Sequence, residues 1–181
     1  MNKLVLSALV AGAFLSSSAF AADPLNVNGG TVTFNGKVID GACSIKTGDD
    51  KKIVELPAVK ATIFSTKDQV ANAKTEFTIT LEDCAIDTFR NVAVTFSGQK
   101  DSTNAKYLSN NNSGTGAAKN VALQLYGQDG DAITLGTKEA GKLVLNTGTN
   151  VLRYSVDYVS TTPDVTAGTV NATADFQLNY N

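Results

Sequence analysis

The sequence predicts an all-β domain, arranged as an antiparallel sandwich or barrel. Segments rich in β-branched, leucine and aromatic residues recur along the chain, and most of them alternate polar with apolar positions. Clusters of turn-forming residues separate these segments, among them Gly29-Gly30, residues 47–50 (TGDD) and residues 110–116 (NNNSGTG). The sequence has 181 residues and no linker-like stretch, charge block or internal repeat, so one domain accounts for its length.

The first 21 residues predict a signal peptide. Lys3 supplies a positive charge, residues 4–14 form an apolar run too short to span a bilayer, and Ala19-Phe20-Ala21 matches an A-x-A cleavage pattern. We expect cleavage after Ala21; the alternative is a buried helix of the mature protein. Removal of Lys3 leaves 14 basic residues of the original 15 against 17 acidic ones, a net charge of −3. This mild acidity argues against a nucleic-acid partner, which would require a basic surface.

Cys43 and Cys84 are the two cysteines of the chain. Export makes a disulfide between them the expected state, because exported proteins pass through oxidising compartments. The bond would close a loop of 41 positions, and the chain-entropy model gives about 4 kcal/mol of stabilisation for such a loop. The alternative is a pair of reduced, buried thiols.

Five segments ahead of the C-terminus are predicted as strands. They are residues 31–38 (TVTFNGKV), 77–81 (FTITL), 92–96 (VAVTF), 121–126 (VALQLY) and 152–159 (LRYSVDYV). Residues 56–75 carry the weakest strand signal, so we expect an irregular connection there with, at most, a short helix.

The C-terminal segment, residues 170–180, has the sharpest alternation in the chain. The positions on one parity are apolar: Val170, Ala172, Ala174, Phe176, Leu178 and Tyr180. The positions between them are all polar: Asn171, Thr173, Asp175, Gln177 and Asn179. This pattern predicts one strand with a buried face and a solvated face. We expect an edge strand, because no residues follow Asn181 to form a partner.

The N-terminal part of the mature chain shows a shorter version of the same pattern. Gly30, Val32 and Phe34 fall on one parity, and the glycine permits close approach to another backbone. This segment is a candidate partner for an edge strand of another molecule. The alternative is pairing of the two terminal strands within one chain, which would complete the sandwich.

No catalytic, metal-binding or cofactor-binding residues are predicted. The chain has no histidine, the commonest general base and metal ligand. Its acidic clusters, Glu82-Asp83, Asp49-Asp50 and Asp129-Gly130-Asp131, are interpreted as solvated turn residues, and none has EF-hand spacing. Two other classes remain as alternatives, a secreted enzyme that uses carboxylates and a monomeric secreted β-sandwich binding module.

Several segments, taken in order, resemble the major pilins of chaperone–usher fimbriae, in particular type 1-like subunits. The resemblance is carried by residues 28–45 (NGGTVTFNGKVIDGACSI), 77–84 (FTITLEDC), 121–136 (VALQLYGQDGDAITLG) and 152–159 (LRYSVDYV). The Cys43–Cys84 spacing and the pattern from Gly168 to the penultimate Tyr180 add to it.

This resemblance implies an immunoglobulin-like β-sandwich that lacks its final strand, over residues 37–181, preceded by a donor-strand extension over residues 22–36. The implied donor residues are Gly30, Val32 and Phe34. The implied acceptor edge, which would also contact the chaperone, is Gly168, Val170, Ala172, Ala174, Phe176, Leu178, Tyr180 and Asn181. A donor strand from another subunit would complete the sandwich.

The resemblance also implies a function and a set of partners. The chain would be a non-catalytic subunit that passes through the periplasm to a surface fimbria and supports adhesion. It would polymerise with copies of itself and meet a periplasmic chaperone, an outer-membrane usher, and minor pilins or a tip adhesin. A minor adaptor pilin is the nearest alternative to a major shaft subunit.

Overall fold

The computed structural model describes residues 30–36, 38, 42–138 and 143–181. The chain divides into two units, Met1–Lys37 and Val38–Asn181. In the first unit, residues 30–36 form neither strand nor helix, so the strand predicted over residues 31–38 is not formed in residues 31–36. Alternating polarity favours a strand, but a strand also needs a neighbour to supply its hydrogen bonds. The predicted signal peptide lies outside the described residues.

The second unit consists of two antiparallel sheets, which confirms the all-β prediction. One sheet has the strand order β1 (Ser44–Ile45), β2 (Thr75–Cys84), β7 (Gly148–Ser160), β5 (Val121–Tyr126) and β4 (Leu108–Ser109). The other has the order β6 (Leu143–Val144), β3 (Asn91–Gly98) and β8 (Ala174–Tyr180). The described residues include no α-helix, only short 3-10 turns at Asp49–Lys51 and Ala61–Ile63.

The hydrophobic core lies between the two sheets, because alternate residues of each long strand point inward. On β2 and β7, Ile79 lies opposite Leu152, and both are almost fully buried. On β3, Phe96 lies opposite Phe176 of β8. The Phe96 ring also meets Tyr154 of β7 edge to face, with 4.9 Å between ring centroids. This aromatic contact, typical of well-packed cores, ties the two sheets together.

The disulfide expected from the sequence is present between Cys43 and Cys84. Cys43 immediately precedes β1, and Cys84 is the last residue of β2. Each cysteine is 3% exposed. The bond therefore fixes β1, which is only two residues long, to the end of the longer strand beside it.

The predicted strands over residues 77–81, 92–96, 121–126 and 152–159 are confirmed, and each lies inside a longer or equal strand. The irregular connection over residues 56–75 is also confirmed, up to Thr75 where β2 begins. It contains one 3-10 turn and an isolated bridge between Val70 and Val159.

The C-terminal strand is shorter than predicted, because it begins at Ala174 and not at Val170. Residues just before it are held by the loop at 110–118 and not by β3. The Asn111 amide donates to the Asn171 carbonyl at 2.7 Å, and the Asn171 amide donates to Asn110 Oδ1 at 2.9 Å. The alternation of half-buried and exposed side chains nevertheless continues back to Val170.

Candidate functional site: an open groove along the last strand

A long apolar groove of about 890 Å³ opens between β8 and the segment that follows β1. Core side chains from the five-stranded sheet form its floor, among them Ile79, Leu125 and Val156. A second section of about 350 Å³ is lined by Leu56, Tyr158 and Val170, which also line the first. The two sections share these lining residues and therefore adjoin each other.

One wall of the groove is β8 with the residues just before it. Within the described residues β8 pairs only with β3, so its other edge has no partner strand. The predicted apolar row packs against the core but stays only half-buried: Val170, Ala172, Ala174, Phe176, Leu178 and Tyr180. An edge strand with an incompletely covered apolar face is a site where another strand can add.

The opposite wall is an extended segment, residues 53–59. No hydrogen bond joins its backbone to another residue in the described part of the chain. Val54 and Leu56 pack against the core, while Ile53 is 84% exposed. Backbone groups of a buried or half-buried segment normally have partners, so this wall offers a second row of backbone groups to a strand in the groove.

Sequence reasoning missed this second wall. Val54 and Leu56 lie on one parity and Ile53 and Glu55 on the other, which is a short strand-like signal before Pro57. Pro57 lacks an amide hydrogen and interrupts this signal after four residues.

The prediction that Asp49 is solvated is wrong. Asp49 is 8% exposed, and its carboxylate accepts a hydrogen bond from the Thr80 amide at 2.7 Å and pairs with Lys52 Nζ at 2.7 Å. Burial raises the pKa of Asp49, but the hydrogen bonds from Lys52 and Thr80 outweigh it and hold the pKa below its ordinary value of 3.8. The neighbouring Asp50 is exposed, as predicted.

Gly168 lies where two backbones approach closely. A Cβ on this residue would lie 2.3 Å from the Ala118 nitrogen, 2.4 Å from the Ala117 carbonyl carbon and 2.6 Å from the Gly116 oxygen. The close approach lets Thr169 exchange hydrogen bonds with the 116–118 backbone. Gly168 also lines the second section of the groove, so its missing side chain helps to shape that end.

The other predicted site residues lie as follows. Asn181 is exposed, and its carbonyl accepts a hydrogen bond from the Asn91 amide at 2.9 Å, which fixes the end of the chain beside β3. The ring centroids of Tyr180 and Phe89 are 6.2 Å apart. Burial raises the pKa of the Tyr180 hydroxyl. Among the predicted donor residues, Val32 is 74% and Phe34 is 89% exposed.

The part of the chain that the structure describes contains no group of three or more acidic, cysteine or histidine residues placed to hold a metal ion. In that same part, no helix is long and apolar enough to cross a membrane.

The fold and the groove define a class: an immunoglobulin-like sandwich with one strand missing from its edge. Residues 16–181 match the family model described as "Fimbrial protein". The chain therefore belongs to the fimbrial protein family and is a structural subunit of a surface fimbria.

Individual relatives agree with this assignment. The chain is 39% identical over 180 residues to the laminin-binding fimbrial subunit ElfA of Escherichia coli O157:H7, covering 99% of both chains. It is 36% identical to a type-1 fimbrial protein A chain of Escherichia coli, covering 98% of this chain and 95% of that one. A solved chaperone–usher pilus subunit has the same fold, with a TM-score of 0.71 and 23% identity, covering 88% of this chain and all of that one.

Proposed function

We propose that this subunit builds the shaft of the fimbria by donor-strand exchange, in which each copy fills the groove of its neighbour with its own N-terminal segment. The observation that carries the proposal is the open groove of about 890 Å³ beside β8, one edge of which has no partner among the described strands. A strand bound there could pair with β8 on one side and with residues 53–59 on the other. Its alternate side chains would close the core.

The donor segment we propose is residues 22–36, ahead of a pilin domain at 37–181, once the signal peptide at 1–21 is removed. Val32 and Phe34 are large apolar side chains left exposed on this segment. Burial of each would contribute roughly 1.5–3 kcal/mol. The acceptor row from Val170 to Tyr180 spans about 35 Å at the usual rise of a strand, so 11 donor residues would cover it.

Side-chain size supports one direction for the donor strand. Along the acceptor wall the small Ala172 and Ala174 precede the bulky Phe176. Along the donor the smallest residue, Gly30, comes first and Phe34 comes last of the three. An antiparallel donor places Gly30 toward Phe176 and Phe34 toward Ala172, so that large side chains meet small ones. A parallel donor would bring large side chains together.

The proposal extends to assembly. An unfilled groove is an aggregation hazard, so we propose that a periplasmic chaperone occupies it until an outer-membrane usher brings the next subunit. The exposed C-terminal Asn181 is the contact we propose for that chaperone, together with the β8 edge. The role is structural and non-catalytic, with minor pilins or a tip adhesin at the end of the shaft.

The test is a charge in the donor face. Phe34→Asp should abolish fibres, because it places a carboxylate in an apolar groove at a cost of several kcal/mol. The control is Asn35→Asp, which adds the same charge one position along, on the face that would point away from the groove. The measurement is electron microscopy and sedimentation of fibres from cells that express each variant.

Fibres from Phe34→Asp at the wild-type level would overturn the donor assignment. Loss of fibres in both variants would show that assembly is sensitive to any added charge in this segment, and this result would also count against the donor assignment. One alternative predicts another outcome: a minor adaptor would form no homopolymer even as wild type.

A further inference from the structure

The outer edge of β2 is a second place where a strand could add to this subunit. β1 covers only two residues of β2, pairing Ser44 with Glu82 and Ile45 with Leu81. One further hydrogen bond runs from the Lys46 amide to the Thr80 carbonyl at 2.9 Å. Beyond that point the chain leaves the sheet, and the remainder of the β2 edge has no strand beside it among the described residues.

Two side chains occupy the backbone groups exposed by this departure. Asp49 accepts a hydrogen bond from the Thr80 amide at 2.7 Å. Lys52 donates to the Thr78 carbonyl at 2.6 Å and pairs with Asp49 at 2.7 Å. The next edge-facing groups on β2 that a partner strand would use are thus already bonded by a linked pair of charged residues.

The Asp49–Lys52 pair also lies where the chain leaves the edge of β2 and begins the second wall of the groove. After Lys52 the backbone crosses to form the second wall of the groove, residues 53–59, with no bond to another described residue. Asp49 and Lys52 themselves line the groove. The same two side chains therefore close one edge and mark the start of the open groove.

We propose that the Asp49–Lys52 pair prevents donor strands from adding to β2 and so restricts them to the groove beside β8. The proposal rests on donor-strand exchange as the proposed function. In a polymerising subunit every copy presents a donor strand, and open sheet edges accept strands with little sequence preference, since backbone hydrogen bonds supply much of the affinity. The excluded occupant is the donor segment of a second copy.

The experiment counts donor peptides on the full mature chain. Phe34→Asp serves as the parent, because its own donor segment is disabled. A synthetic peptide of residues 22–36 is added in excess, and native mass spectrometry counts the peptides bound per subunit. We expect one peptide on the parent and two when Asp49→Ala and Lys52→Ala are added. Hydrogen exchange at Thr78 and Thr80 should slow when the second peptide binds.

The matched control adds Asp50→Ala and Lys51→Ala, which remove the same charges from the same turn without touching a bond to β2. It should bind one peptide. If the Asp49→Ala, Lys52→Ala variant does not fold, Lys52→Met alone frees the Thr78 carbonyl and should admit a second peptide at higher concentration.

One peptide on every folded variant would overturn the proposal, as would two on the control. No peptide on the parent would mean that the groove does not accept donors, so that the proposed function fails and this inference with it. Failure of this inference and failure of the proposed function are therefore distinguishable, because only the second removes peptide binding from the parent.

Discussion

Gly168 illustrates how a single absent side chain shapes this subunit. The backbone from 116 to 118 crosses so near it that no Cβ fits without displacement of main-chain atoms. Such atoms belong to hydrogen-bonded pairs with Thr169 and cannot move independently. Glycine is needed at position 168 for space and not for its backbone freedom, because the φ angle of Gly168 lies outside the left-handed region.

Gly168→Ala should therefore lower the free energy of unfolding by about 1–3 kcal/mol, the usual cost of forcing an extra carbon into a packed site. The matched control is Gly116→Ala, where an added Cβ meets no atom within 4 Å. Thermal unfolding of both purified subunits checks this. Equal melting temperatures for the two variants would contradict the steric argument.

Among the strands, β8 and its preceding residues form one wall of the groove and are the acceptor edge that we propose. Ala172 and Ala174 leave space that larger side chains at the same positions would fill. The period-2 alternation made this face visible in the sequence. The position of this strand at an edge was also expected from the sequence, and the strand order places β8 at the end of its sheet among the described strands.

Ala172→Phe should fill the groove from within, leaving the subunit folded but unable to accept a donor. We expect donor binding to weaken by about 1–3 kcal/mol or more, by the same overpacking argument. Gln177→Phe is the control, since its side chain lies on the exposed parity and does not line the groove. The measurement is the fibre yield together with the melting temperature of the monomer. Normal fibres from Ala172→Phe would mean that the donor lies elsewhere.

Taken as a whole, the subunit is a sandwich whose core is open, so links that close distant parts of the chain matter more than in a complete domain. The Cys43–Cys84 bond is the covalent link, and it anchors β1 and hence the start of the second groove wall. Without it, the start of that wall would be held to β2 only by non-covalent contacts, namely two residues of pairing and the hydrogen bonds of Lys46, Asp49 and Lys52.

Replacement of Cys43 and Cys84 by serine should destabilise the subunit by about 4 kcal/mol, from the loop of 41 positions. That corresponds to a fall in melting temperature of about 8–16 °C, and the yield of folded subunit should drop. Calorimetry of the wild type with and without a reducing agent provides the control, because reduction should reproduce the loss. Unchanged melting in both comparisons would show that the bond contributes nothing.

The sequence by itself determined the strand content, the disulfide pair and the alternating C-terminal face, because these depend on local periodicity and on composition. Family membership was also accessible, since the motifs at residues 28–45 and 77–84 occur in order. Sequence reasoning failed for short elements. Two-residue strands such as β1 and β6 have no period to detect. The strand expected at residues 31–38 is not formed over residues 31–36, which have no pairing partner among the described residues.

Only the tertiary structure decided where the core is open. The groove exists because two segments far apart in sequence, residues 53–59 and β8, lie on either side of the same exposed core residues. Asp49 is buried where it accepts a hydrogen bond from the Thr80 amide, and Thr80 is 31 positions away in the sequence. No local sequence pattern predicts such contacts between distant segments, because strand order and register arise from packing across the whole sheet.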